Sequence, residues 1–183
     1  MAFLYLIFLL VAFFLSIFFV FFMLAQTIST LLGDVPYIPI PKITEKNVIE
    51  VLKLDNNSVF YDLGCGDGRV LLRAVEQFPQ IRAVGVDIGF IPFFLAKFYI
   101  RKYKNISIKR ENIYKTDIHD ATHIFLYLYP KVVDRIFVNI LKQCKPGTKI
   151  VSCDFELIDV TPTEIINLET KALRGKTLFV YTL

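Results

Sequence analysis

Val59-Phe60-Tyr61-Asp62-Leu63-Gly64-Cys65-Gly66-Asp67-Gly68-Arg69 decides the fold. Its first five residues are apolar or aromatic apart from one acid, the next five hold three glycines at alternate positions, and over 69–78 apolar residues recur at helical spacing. The stretch reads as strand, loop, helix. Working outward, the pattern repeats: 82–88 reads as a strand and 90–103 as a helix with Pro92 in its first turn. A short strand is expected at 106–110, a buried strand at 124–129, a helix at 131–143 and a strand at 149–155, with Pro146-Gly147 as the turn before the last. The runs 164–173 and 176–182, separated by Arg174-Gly175, read as an antiparallel hairpin. Upstream, Thr44 is the expected N-cap of a helix that ends at Lys53. Strands alternating with helices predict an α/β, Rossmann-like, seven-stranded and mostly parallel sheet, covered on both faces, with the C-terminal hairpin at one edge.

The 183-residue chain divides at the first charged side chain, because residues 1–33 contain no Asp, Glu, Lys or Arg. Between Ala2 and Ala25 the only polar side chains are Tyr5 and Ser16, and the apolar residues follow no period that leaves one face wet. About twenty residues rising ~1.5 Å each cross a hydrocarbon core of ~30 Å, so residues 3–25 suit a retained transmembrane helix. A cleaved signal wants a basic flank, a shorter apolar run and a small-residue cleavage site, and a soluble helix this Phe-rich aggregates unless buried. Two domains are therefore expected: an anchor at 1–33 and a catalytic unit at 34–183, joined by a proline-punctuated linker.

Lys42, Lys46 and Lys53 follow the span and no basic residue precedes it, which favours a single-pass orientation with the C-terminal unit cytoplasmic, or on a matrix-like side in an organelle. Three cysteines, Cys65, Cys144 and Cys153, are odd in number and lack C-x-x-C spacing, in keeping with a reduced compartment and no zinc cage. The net charge is only +4, yet Lys97, Arg101, Lys102, Lys104, Lys109 and Arg110 form a basic run suited to a solvated face, anionic headgroups or an acidic partner. No base-stacking motif accompanies it, so nucleic acid is not expected as a partner. His119 and His123 lie before a strand and lack the Glu of a zincin, so no metal is expected either.

The chemistry is concentrated in the glycine loop. In an open α/β sheet the first strand-helix loop lines the ligand crevice at the point where strand order reverses. A dinucleotide loop reads G-x-G-x-x-G and sets pyrophosphate on a helix N-terminus. Here the loop is G-x-G-x-G and flanked by Asp62 and Asp67, which suits a ligand with a cationic ammonium end. Asp87 ends the second strand about twenty residues on, where such sheets place an acid for a ribose diol.

With these residues in order, the chain resembles the class I, seven-stranded methyltransferases that use S-adenosylmethionine. More narrowly, Val35-Pro36-Tyr37-Ile38-Pro39-Ile40-Pro41, the Asp62-Leu63-Gly64-Cys65-Gly66-Asp67-Gly68-Arg69 loop and the long apolar N-terminus are similar to the membrane-associated protein-lysine methyltransferases of the ATP synthase c-subunit and adenine nucleotide translocase. That resemblance implies cofactor contacts from Tyr37 and Pro39, from Asp62, Leu63, Gly64, Cys65, Gly66, Asp67 and Gly68 on the methionine side, and from Asp87 at the ribose. Ile88 is implied against the adenine, with Asn112 and Ile113 at its edge. Tyr127, Tyr129 and Pro130 are implied to face the methyl group and acceptor. The chain departs from the family in having Cys65 where Ser is common, Asp87 where the subgroup has Glu, and Leu128-Tyr129-Pro130 in place of a G-V-P-like segment.

Three functions fit this reading. The first is a membrane-anchored methyltransferase for a lysine of a membrane or membrane-proximal protein, where the anchor raises the effective concentration. The second is a methyltransferase for a lipid, quinone or other small apolar acceptor. The third is a tethered S-adenosylmethionine-binding scaffold without catalysis.

Overall fold

The computed structural model describes residues 1–32 and 38–183; Tyr37, and the 33–36 part of the linker, lie outside the described residues. The chain falls into two units, 1–36 and 37–183.

The first unit is one helix, α1 (Ala2–Leu32). Its segment Ala2–Ala25 is long and apolar enough to cross a membrane by length and composition. Two hydroxyls are satisfied within the helix: Ser16 Oγ donates to the Phe13 carbonyl at 2.8 Å and Thr27 Oγ1 to the Met23 carbonyl at 2.9 Å. Such back-bonding leaves these donors no need of water.

The second unit opens with α2 (Lys42–Leu52) and continues β1 (Val59–Leu63), α3 (Arg69–Gln77), β2 (Arg82–Val86), α4 (Phe90–Ile100), β3 (Ile106–Lys109), a 3-10 turn (Ile113–Lys115), β4 (His123–Leu126), α5 (Pro130–Gln143), β5 (Lys149–Cys153), β6 (Glu164–Asn167) and β7 (Thr177–Thr182). Strand order is β3-β2-β1-β4-β5-β7-β6. The first five strands are parallel, and β7 runs antiparallel between β5 and β6. The order reverses at β1, between β2 and β4, so the loop at 64–68 lies at the switch point. Strands β1, β2 and β5 are buried at almost every position, as parallel strands covered on both faces must be.

Three local expectations need correction. Thr44 does not cap α2: the helix begins at Lys42 behind Pro41, its extended N-cap with φ −62° and ψ 143°, and Thr44 Oγ1 donates to the Gly175 carbonyl at 2.7 Å. The strand expected over 124–129 ends at Leu126, freeing 127–129 from the ladder. The terminal hairpin has no two-residue turn at Arg174-Gly175: β6 pairs with β7 from Glu164↔Val180 to Asn167↔Thr177, and 168–176 form a long connection. That connection is held from elsewhere. The Asp154 carboxylate accepts from the amides of Gly175 (2.5 Å), Lys176 (2.7 Å) and Thr177 (3.2 Å), an interaction that no hairpin pattern encodes.

Candidate active site

The segments that follow the parallel strands at their C-terminal ends carry the acids and polar groups of the site. The loop after β1 turns through Gly64, Gly66 and Gly68, at φ of 88°, 56° and 77°, left-handed values that cost a side-chain-bearing residue about 1–2 kcal/mol each. The turn is tied to the next strand. Gly64 N and Cys65 N both donate to the Val86 carbonyl, at 2.8 and 3.0 Å, and Gly66 N donates to Asp87 Oδ2 at 2.9 Å. Asp87 Oδ1 accepts from Gly89 N at 2.7 Å. Each oxygen of Asp87 thus keeps a lone pair for a further donor, such as a ribose hydroxyl. Burial pushes its pKa up, against the pull of these two amides.

Asp62, next to last in β1, is buried and accepts no hydrogen bond from any described residue. Burial first, and then the nearby Asp87 and Asp67 carboxylates, hold its pKa well above the usual carboxylate range. A buried acid in that state favours an arriving cation. Asp67 is arranged differently: Arg69 clasps it, with Nε 2.9 Å from Oδ1 and Nη2 2.6 Å from Oδ2, while Arg69 Nη1 reaches the Ile40 carbonyl at 3.3 Å. Its charge is already matched by a guanidinium, so of the two acids flanking the glycines Asp62 is the one open to a cationic ligand. Leu63 is fully buried, and Cys65 is buried with its thiol pushed well up by burial and then by Asp62 and Asp87. Cys65 Sγ fills the space beside Gly85, where a Cβ would stand only 2.7 Å from it.

The remaining expected cofactor contacts lie after β2 and β3, the strands next to this loop in the sheet, or in the linker. Ile88 is exposed. Asn112 Oδ1 caps the 3-10 turn by accepting from Tyr114 N at 2.9 Å, which leaves its amide Nδ2 unengaged among the described residues, and Ile113 is half-buried beside it. Glu111, which sequence reasoning passed over, presents Oε1 shielded from solvent, with no hydrogen-bond partner among the described residues and the Lys109 ammonium 3.8 Å away as its ion-pair partner. Pro39 is exposed.

The segment expected to face the acceptor follows β4. Leu128 is buried, and its Cδ2 lies 2.5 Å from where a Cβ on Gly64 would be. Tyr127 is packed on the core with its hydroxyl buried and without a partner among the described residues, and burial, followed by Cys153 and Asp154, pushes its pKa up to about 12. Tyr129 receives a hydrogen bond from Arg174 Nη1 at 3.3 Å, and Pro130 opens α5. Arg174 and Asp154 were not singled out from sequence. Asp154 immediately follows β5 as Asp87 follows β2, and that repeated strand-end acid was the available signal; Arg174 carried none.

The two histidines make separate contacts: His119 Nδ1 is 2.6 Å from Asp117 Oδ1, and His123 Nδ1 is 2.9 Å from Thr122 Oγ1. No group of three or more His, Cys, Asp or Glu suited to a metal occurs among the described residues. Cys65, Cys144 and Cys153 are free thiols.

The donor set fits S-adenosylmethionine: a glycine cradle, a buried acid open to a cation, a strand-end acid with spare lone pairs, and polar atoms after β3 and β4 that make no hydrogen bond among the described residues. Comparison with known proteins gives the same answer. Residues 62–164 match the ANTKMT methyltransferase domain. A protein-lysine N-methyltransferase of Saccharolobus islandicus is 33% identical over 152 residues, covering 81% of this chain and 94% of that one. The lysine N-methyltransferase of the ATP synthase c-subunit from Caenorhabditis elegans is 27% identical over 132 residues, 67% of this chain and 68% of that one. Among solved structures, an RNA methyltransferase from Salinibacter ruber in complex with S-adenosyl-L-homocysteine is 30% identical, with a TM-score of 0.73 over 79% of this chain and 93% of that one. By motif, fold and kinship the chain belongs to the ANTKMT methyltransferase family and is an S-adenosylmethionine-dependent methyltransferase.

Proposed function

We propose that this enzyme methylates the side-chain amine of a lysine in a membrane or membrane-proximal protein, and that residues 1–33 anchor the catalytic unit, 34–183, to that membrane in a single pass with the catalytic unit on the cytoplasmic or matrix-like side. Kinship with protein-lysine methyltransferases, one of which acts on the ATP synthase c-subunit, supports the lysine. The apolar run Ala2–Ala25 and the lysines that follow it support the anchor and its orientation.

The single observation that carries the chemistry is the Tyr127 hydroxyl, buried without a partner among the described residues one position past β4. The cofactor supplies an electrophilic methyl group on a sulfonium centre. Asp62 holds the cationic end of the methionine portion, with the backbone of 64–68 against it, and Asp87 holds the ribose diol. Asn112 Nδ2 and Glu111 Oε1 meet the adenine edge, flanked by Ile88 and Ile113. The family resemblance adds a cofactor contact from Pro39. The acceptor amine attacks only when neutral, and a dry pocket lowers its pKa in that direction. With its own pKa near 12, Tyr127 stays a neutral phenol at physiological pH. Its oxygen accepts an N–H from the amine and turns the nitrogen lone pair toward the methyl group, while Tyr129, braced by Arg174, and Pro130 shape the mouth. The chain assigns no general base.

The test is transfer of radiolabelled methyl from S-adenosylmethionine into membranes, followed by separation of protein, lipid extract and RNA. Label in protein as methyl-lysine supports the proposal. Label in the lipid or quinone fraction supports a small apolar acceptor, label in RNA the activity described for the Salinibacter protein, and cofactor binding without transfer a tethered scaffold; each of these refutes it.

A further inference from the structure

Helix α4 carries a surface that cofactor binding and methyl transfer do not use. Its inner face is Pro92, Ala96 and Ile100, all buried. Phe90, Phe94 and Phe98, spaced by four, and Leu95 and Tyr99 beside them are exposed, Phe98 to 60% and Phe94 to 54%. Spacing of four places such residues on one stripe of the helix. An apolar helix face left in water is costly and marks a contact.

Charge says what kind of contact. No acid occurs between Ile88 and Arg110, while Lys97, Arg101, Lys102, Lys104, Lys109 and Arg110 do. Lys109 is paired with Glu111 at 3.8 Å, and among the described residues the other five meet no carboxylate. Two cations lie over rings of the stripe, the Arg101 guanidinium 4.1 Å from the Phe98 centroid and Arg110 5.3 Å from Phe90, and Lys97 Nζ is 5.5 Å from the half-buried Phe93 beside it. An apolar stripe rimmed by cations matches the boundary between acyl chains and anionic headgroups: the rings enter the chains and the cations stay at the phosphates. A second copy of the same face brings like charge against like across a two-fold axis. Single-stranded RNA wants separate flat platforms, whereas Phe90 and Phe94 pack on each other at 4.7 Å, as do Phe98 and Tyr99 at 5.8 Å.

We propose that α4 is an interfacial docking surface that seats the catalytic unit on an anionic lipid bilayer, a membrane contact additional to Ala2–Ala25. It extends the membrane reading above but not the lysine reading, which the fate of the methyl label tests separately. The docked helix is also the one that backs the cofactor loop: a Cβ on Gly68 would stand 3.4 Å from Ala96 Cβ, and Gly89 N, just before α4, donates to Asp87.

The chain contains no tryptophan, so Phe94→Trp introduces a single reporter. The full chain is reconstituted in vesicles of phosphatidylcholine alone and of phosphatidylcholine with phosphatidylserine, with and without brominated acyl chains. Phe98→Trp provides a second reporter, Ile165→Trp on the exposed β6 edge a control, and retained S-adenosylmethionine binding shows that each variant is folded. The expected result is blue-shifted emission and loss of intensity to the brominated chains at positions 94 and 98, greater with phosphatidylserine. Both effects diminish in Lys97→Glu/Arg101→Glu, and in about 1 M salt, where screening acts within ~3 Å. Equal quenching at 165, no quenching at 94 and 98 in either vesicle, a shift that follows protein density instead of lipid, or a shift that requires added oligouridylate overturns the proposal.

Discussion

Leu128 Cδ2 occupies the place where a Cβ on Gly64 would stand, 2.5 Å from it, so the loop after β1 and the segment after β4 are packed against each other through one absent side chain. Gly64 is also at φ 88°. Gly64→Ala therefore costs the left-handed strain of about 1–2 kcal/mol and an overpacking cost of about 1–3 kcal/mol. Only the second part depends on Leu128. Denaturation of Gly64→Ala, Leu128→Ala and the double variant should show a favourable coupling of about 1–3 kcal/mol, and additivity within error excludes this packing.

If Asp62 holds the cationic end of the cofactor, it links affinity to pH. Its folded-state pKa is raised well above the ordinary 3.8 by burial and by Asp87 and Asp67, so as pH rises above 3.8 the unfolded chain loses this proton while the folded, ligand-free enzyme keeps it. The group's contribution to stability accordingly falls through that window, up to the folded value. A bound ammonium favours the carboxylate and expels the proton. S-adenosylmethionine should bind more tightly as pH rises through the folded pKa of Asp62, with proton release visible as a dependence of the binding heat on buffer ionisation enthalpy. Asp62→Asn should weaken binding about 10- to 100-fold, from the ~1.5–3 kcal/mol of a hydrogen bond to a charged group, and abolish the proton release.

Tyr127→Phe separates positioning from packing. A buried hydroxyl without a partner carries a desolvation cost, so its removal should leave the ligand-free enzyme as stable or up to about 1 kcal/mol more stable. If the hydroxyl orients the acceptor amine, kcat falls about tenfold, for ~1.4 kcal/mol, with affinity for S-adenosylmethionine unchanged. Equal kcat in the two enzymes removes Tyr127 from the chemistry.

Asp154→Ala should act on the acceptor alone. The carboxylate holds the amides of 175–177 and thereby the connection from which Arg174 reaches Tyr129. The expected outcome is a raised KM for the acceptor with unchanged cofactor affinity in calorimetry; weakened cofactor binding contradicts this division of the site.

The parts of this site that were legible in sequence are those fixed by local rules. Three glycines at alternate positions, an acid next to last in β1 and another just after β2 announce a left-handed loop between acids, because backbone conformation and strand period act over a few residues. The parts that were not legible depend on partners far along the chain: Thr44 with Gly175, 131 residues away, Arg174 with Tyr129, and Asp154 with the amides of 175–177. Asp67 shows a subtler limit. Its position in the motif gave no sign that Arg69, two residues on, clasps its carboxylate.

The most direct test of the account is mass spectrometry of membrane proteins after incubation with the full, detergent-solubilised chain and deuterated-methyl S-adenosylmethionine, beside the Asp87→Ala variant. The account predicts deuterated N-methyl-lysine in a membrane or membrane-proximal protein, absent with the variant. Deuterium confined to lipid or RNA, or lysine labelling that persists without Asp87, contradicts it.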